Sequence, residues 1–242
     1  MSVDYERLRE LHRPGDPLVL PNVWDAGGAK AVEEAGYPAL ATASAAISAM
    51  LGYPDGEGAP PGEMFAAAAR VIEAVSVPVT VDAEAGYGLE PAALAARLRE
   101  IGAAGLNLED SRDHALLDAE AQAAYIAALR AADPGLVINA RVDTFVTGAP
   151  EALPEALARG RRYLEAGADC VYPIAVRDEG IIEALVKELG VVNVLCLPGM
   201  SVKRLAGLGA ARVSFGSGLY RLALETVRTF ATRLKEGEEP WP

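Results

Sequence analysis

Short apolar runs rich in β-branched residues alternate with Ala- and Leu-rich amphipathic stretches from end to end of the chain. The strand-like runs are 18–22, 39–44, 77–83, 104–110, 136–143, 169–174, 192–198 and 211–216. They lack period-2 alternation, the pattern of strands covered on both faces. Helical patterns lie between them, for example 91–102 and 153–167. Gly follows the helical stretch in 34–40, 101–107, 165–171 and 208–214, and a strand then begins, as a left-handed helix cap requires. Eight such units in 242 residues predict an α/β chain folded as a (β/α)8 TIM-type barrel, one domain over 1–242, better than an open doubly wound sheet. No Pro/Ser-rich linker divides it. The turn-rich stretch 52–63 reads as the loop after strand 2, and 235–242 as an exposed tail.

In such a barrel chemistry collects at the C-terminal strand ends. Strand 1 ends at Asn22, Trp24 and Asp25. Strand 2 ends in Thr42, Ala43, Ser44 and Ala45, and its loop carries Asp55. Strand 3 ends in Asp82 and Glu84, followed by a Gly-Tyr-Gly turn. Strand 4 gives Asn107, Glu109 and Asp110, strand 5 gives Arg141 and Asp143, and strand 6 gives Tyr172 and Ile174. Acids on three neighbouring units beside one Arg suit a cation and an anion held side by side. A hard divalent cation, Mg²⁺ with Mn²⁺ as substitute, fits Asp55, Asp82, Glu84 and Glu109, directly or through water. Arg141 fits a substrate carboxylate as a planar fork, or a structural ion pair with a barrel acid. The small residues Thr42 to Ala45 would let backbone N–H groups reach a carboxylate or enolate oxygen.

Other chemistries are excluded. Lys30, Lys187, Lys203 and Lys235 end no strand, which opposes a Schiff-base aldolase. His12 and His114 are too few for a multi-His zinc site. There is no phosphate-binding G-x-x-x-x-G-K loop, and the loops after strands 7 and 8 offer a phosphate only fold analogy. A net charge of −12 without a basic patch opposes nucleic-acid binding. No apolar run is long enough for a membrane span, and the start is not a leader peptide. Cys170 and Cys196, both in apolar runs, read as buried reduced thiols of a cytoplasmic protein.

VDAEAGYG, GLNLED and INARVD, in that order, together with PNVWDAGGAKAVEEAGYPALATASAAISAMLGYPD, resemble the isocitrate lyase/phosphoenolpyruvate mutase superfamily over about residues 18–225. The resemblance implies Mg²⁺ dependence, a 2-oxo or enol carboxylate ligand, and homo-oligomers that exchange the last helix. It implies Asp82 as the nearest metal ligand, with Asp55, Glu84 and Glu109 acting mostly through water, and Arg141 with Thr42 to Ala45 on the carboxylate. The family more often has Asp at the position of Glu84.

Two departures narrow the chemistry. The lyases carry a K-[KR]-C-G-H loop after strand 4 whose Cys is the acid; here EDSRDHALLD (109–118) is shorter and has no Cys. The phosphonomutases place an Asn in that loop and a His on strand 6, where this chain has Ile174. Candidate catalytic groups are therefore Arg141, Glu109 and His114, the last also readable as a plain surface His. The leading expectation is a Mg²⁺-dependent lyase of a C–C bond next to a 2-oxo carboxylate, such as an oxaloacetate-like acid. The alternatives are phosphonopyruvate-type P–C chemistry and a nearly inactive barrel that binds 2-oxo dicarboxylates. The apolar face of 219–234 is expected to close a homodimer or homotetramer, or else to pack on its own barrel.

Overall fold

A computed structural model describes residues 4–238. The first three residues and 239–242, the end of the turn-rich tail, lie outside it. All eight predicted strands are present: β1 (Leu18–Leu20, continued at Asn22–Val23), β2 (Leu40–Thr42), β3 (Val79–Asp82), β4 (Gly105–Leu108), β5 (Val137–Val142), β6 (Cys170–Pro173), β7 (Asn193–Leu195) and β8 (Arg212–Ser214). Every barrel pairing is parallel. Pro21 has no N–H and interrupts β1. The first half of β1 pairs with β8, the second with β2, and the Pro21 carbonyl still accepts from Ala41 N–H at 3.3 Å. A bridge between Val171 and Val192 joins β6 to the start of β7 and closes the ring. The fold is a (β/α)8 TIM-type barrel.

Helices α1 (Tyr5–Glu10), α2 (Ala26–Glu34), α3 (Ser44–Leu51), α4 (Pro61–Glu73), α5 (Pro91–Glu100), α6 (Ala119–Ala132), α7 (Ala152–Glu165), α8 (Glu179–Leu189), α9 (Val202–Gly207) and α10 (Gly218–Lys235) surround it. The four glycines expected to close helices, Gly36, Gly102, Gly167 and Gly209, all take positive φ. Asp25, Asp118 and Asp178 cap α2, α6 and α8 by accepting from backbone N–H groups. Asp25 is therefore a cap and not a site residue. Among the described residues no helix is long and apolar enough to cross a membrane.

Helix α1 covers the N-terminal floor of the barrel. Leu8 is fully buried there with Leu18, Leu20 and Val137. A Cβ on Gly105 would lie 2.6 Å from the Val137 carbonyl oxygen and 3.1 Å from Leu8, so β4 needs glycine at this close approach. His12 lies beside this floor, donating Nδ1–H to Leu8 O at 2.8 Å. Burial, and then the nearby Arg212, push its imidazole down to about 4. The unfolded chain, with a His near 6.5, takes the proton first. Stability is therefore full above that value and falls as pH drops toward 4. The expected loss between pH 7 and pH 5 is about 2 kcal/mol. Urea unfolding should show that loss in the wild type and not in His12→Gln; equal losses would mean a solvated imidazole.

Candidate active site

Asp82 ends β3 directly beside Asn107 in the parallel ladder. Its N–H donates to Thr42 Oγ1 (2.9 Å), and its Oδ2 accepts from Ser44 N–H (3.0 Å) and Ser44 Oγ (2.8 Å). Helix α3 starts at Ser44 and its own N-cap, Ala43, gives no side-chain bond, so Asp82 serves the helix terminus from the next strand. Oδ1 of the same carboxylate is buried and has no partner. One oxygen is thus fixed by the fold, and the other has no partner among the described residues.

This corrects the expectation for residues 42–45. Ala43 N–H bonds the Val23 carbonyl (3.2 Å), Ser44 N–H is taken by Asp82, and Thr42 lies within β2 with its hydroxyl engaged. Thr42 and Ser44 hold Asp82 in place, and the Ala43 N–H is spent on β1. Of the four, only Ala45 keeps an N–H without a hydrogen-bond partner, in the first turn of α3.

The other acids surround Asp82. Glu84 takes φ 48° and is almost fully buried, and its Oε1 accepts from Glu57 N–H at 2.6 Å. Burial raises its carboxyl above the ordinary range, with Asp82 and Asp55 adding to the shift against the Glu57 N–H. Asp55 stands on the loop after β2; desolvation raises it, and Asp82 adds to that against a bond from Gly56. Burial pushes Glu109 up to about 9, with Arg141 opposing and Asp82, Asp143 and Glu84 reinforcing. Carboxylates this crowded repel one another and call for a cation. Among the described residues no three His, Cys, Asp or Glu side chains converge closely enough to chelate an ion by themselves. That agrees with the sequence expectation that only Asp82 stands nearest the metal, with Asp55, Glu84 and Glu109 acting mostly through water. Mg²⁺, which keeps several waters, fits this donor set through Asp82 Oδ1, with Asp55, Glu84 and Glu109 reached through water.

Arg141 is held on both sides. Its Nε donates to Asp143 Oδ1 at 2.5 Å and its Nη1 to Glu109 Oε1. The ion-pair reading of this residue is what the structure shows. It is ion-paired, and it also faces the cavities. Asp143 is fully buried, accepts from Ser111 Oγ, and donates its own N–H to Asp110 Oδ1 at 2.8 Å. Asp110 is anchored in turn by Arg159 (3.1 Å) and Tyr163 (2.8 Å) from α7. The orientation of Arg141 is thus built from the barrel wall outward.

Two cavities meet at this point. The larger, about 560 Å³, is lined by Ala45, Asp82, Asn107, Tyr172, Ile174 and Cys196 among others. The smaller, about 350 Å³, is lined by Glu84, Glu109, Arg112 and His114 among others. Asp55 and Arg141 border both. Cys170 is buried as expected, whereas Cys196 is only half-buried on the cavity wall. The loop 109–118 folds into a small hairpin pairing Ser111–Arg112 with Ala115–Leu116. His114 sits exposed on its tip at φ 62°, at the rim of the smaller cavity. Arg112 ties the hairpin to the loop after β2 through Glu57 at 2.9 Å. Sequence reasoning named Ser111 and Arg112 only as loop residues and missed Glu57, for which the DGEG turn was the available signal.

The family model for phosphoenolpyruvate phosphomutase matches residues 8–235. This chain belongs to that family. A solved structure from Burkholderia cenocepacia J2315, described provisionally as a phosphonomutase, shares 39% identity at a TM-score of 0.90, covering 94% of this chain and 98% of that one. An uncharacterized protein of Mycobacterium tuberculosis (strain CDC 1551 / Oshkosh) is 36% identical over 233 residues, 96% of this chain and 90% of its own length. The 2-methylisocitrate lyase of Bacillus subtilis (strain 168) is 31% identical over 184 residues, 72% of this chain and 60% of the lyase. A phosphonopyruvate hydrolase solved with oxalate and Mg²⁺ shares the fold at a TM-score of 0.87 and 24% identity, covering 98% of this chain and 89% of that one. The relatives above 30% identity thus include a protein named as a 2-methylisocitrate lyase and a structure described provisionally as a phosphonomutase.

Proposed function

We propose that this chain is a Mg²⁺-dependent lyase that breaks or forms a C–C bond adjacent to a 2-oxo carboxylate. The carrying observation is Asp82, which lines the same cavity as Arg141 and whose buried Oδ1 is bonded by no described residue. Bound Mg²⁺ would polarise the 2-oxo group and offset the negative charge of the enolate. Asp82 holds the cation's side of the site, fixed by Ser44 and Thr42. Arg141, clamped by Glu109 and Asp143, presents positive charge to the carboxylate without having to reorganise. The Ala45 N–H offers a further donor at the start of α3. Decarboxylation or cleavage of an oxaloacetate-like acid suits a loop that has no Cys acid. The relatives that act on P–C bonds support a second reading, phosphonopyruvate-type chemistry. A panel of 2-oxo and 2-hydroxy dicarboxylates and phosphonopyruvate, assayed with and without EDTA, separates these. Metal-dependent pyruvate release from a dicarboxylate supports the lyase, phosphate release supports the second reading, and binding with neither product leaves a non-catalytic binder of 2-oxo dicarboxylates.

We also propose a homo-oligomer, dimer or tetramer, in which α10 docks on a second copy. An 18-residue helix with no buried residue is an unusual end for a barrel. Leu222, Val227 and Leu234 stand 68%, 63% and 50% exposed. At its start α10 is held to its own barrel by Tyr220 against Trp24, ring centroids 5.2 Å apart. Light scattering should give a dimer or tetramer for the wild type and a folded monomer for Leu222→Glu/Val227→Glu. A stable wild-type monomer at micromolar concentration would rule out the exchange.

A further inference from the structure

Most polar atoms around the larger cavity are engaged within the protein. Asn22 donates Nδ2–H to Thr42 O (2.9 Å) and accepts from Phe215 N–H (2.8 Å), so both ends of its amide are tied. Asn107 is different. Its Oδ1 accepts twice, from Arg212 Nη2 at 2.9 Å and from Asn139 Nδ2 at 2.8 Å, and its own Nδ2 bonds nothing among the described residues. A guanidinium carries only donors, so the atom facing Arg212 has to be the oxygen. The amide cannot turn over, and its N–H edge is left for the cavity that Asn107 lines.

Arg212 gives this arrangement its rigidity. It is fully buried, no carboxylate bonds it, and its Nε and Nη1 have no partner. A buried cation so poorly compensated cannot give up an acceptor cheaply. The parallel register sets Asp82 and Asn107 side by side, on strands about 4.8 Å apart, with both side chains leaving the same face. The cavity is thus lined by an acceptor side chain, Asp82, next to a donor, Asn107 Nδ2–H.

We propose that Asn107 binds substrate by donating Nδ2–H to an oxygen of the 2-oxo carboxylate or its enolate, with Arg212 and Asn139 as positioning residues that lock the amide. This rests on the metal and 2-oxo acid reading of the same cavity and adds a specificity element to it: the ligand must present an acceptor oxygen to the barrel axis.

Asn107→Asp tests it. The variant keeps an oxygen toward Arg212 and Asn139 and replaces the donor edge with an acceptor. Oxalate, a planar mimic of the enolate, is titrated calorimetrically in saturating Mg²⁺. The expected result is at least tenfold weaker oxalate binding with a Tm no lower than wild type. Affinity within twofold of wild type overturns the inference and leaves the site reading intact. A wild type that binds no oxalate in Mg²⁺ overturns both. A second measurement uses ¹⁵N-labelled wild type, with the Asn107 side-chain amide assigned by its loss in Asn107→Asp. Its resonances should move on addition of oxalate with Mg²⁺. If they stay, weaker binding by the variant reports charge repulsion alone, and the proposal falls.

Discussion

Asp82→Asn is expected to abolish stabilisation by Mg²⁺ while leaving the barrel folded. The amide oxygen must take over the role of Oδ2, because Ser44 offers it only N–H and O–H donors. That turns the –NH₂ toward the position of Oδ1, where a donor repels a cation. At a free Mg²⁺ concentration about 100 times Kd, binding to the wild type contributes about 2.7 kcal/mol by mass action. For a chain of this size that is a rise in Tm of about 5–10 °C. Differential scanning calorimetry should show the rise in the wild type and none in Asp82→Asn. A full rise in the variant would place the metal elsewhere.

Arg141→Lys is expected to weaken the 2-oxo acid far more than the metal. An ammonium is a point donor and cannot bridge Glu109 and Asp143 while also offering a planar edge to a carboxylate. The loss should be about 1.5–3 kcal/mol, the range for hydrogen bonds to charged groups, or about 10- to 150-fold in Kd for oxaloacetate. Calorimetric titration of the ligand in saturating Mg²⁺ reads this directly. Oxaloacetate affinity equal to wild type would mean that Arg141 only pairs the acids around it.

The architecture was legible in the chain because its signals are local. Runs such as 18–20 and 39–41 are apolar at every position, and a left-handed Gly punctuates helix ends before a strand begins. The acids at the barrel mouth were legible for the same reason: Asp82, Glu84 and Glu109 sit at strand ends, where only a few chemistries tolerate them. What each atom does was not legible. Ser44 and Thr42 read as open backbone for a ligand, and in the fold they buttress Asp82 across two strands. Arg141 read as a fork for a carboxylate or as an ion pair with an unspecified barrel acid, and the structure names the acids: Asp143, two residues on, takes its Nε. The contact of Arg212 with Asn107 spans 105 residues, and no periodicity or spacing encodes such a pairing. The hairpin at 111–116 turns through Asp113 and His114, both at positive φ, where non-Gly residues rarely announce a turn.

One divalent cation at Asp82 and a 2-oxo carboxylate facing Arg141 are expected together at the barrel mouth. Anomalous diffraction from crystals grown with Mn²⁺ and oxalate tests this most directly. The expected result is one Mn²⁺ peak per barrel next to Asp82 Oδ1, with oxalate between it and Arg141 and the remaining acids reached through water. No peak at the barrel mouth, or a cation there with Asp82 not among its ligands, would contradict it.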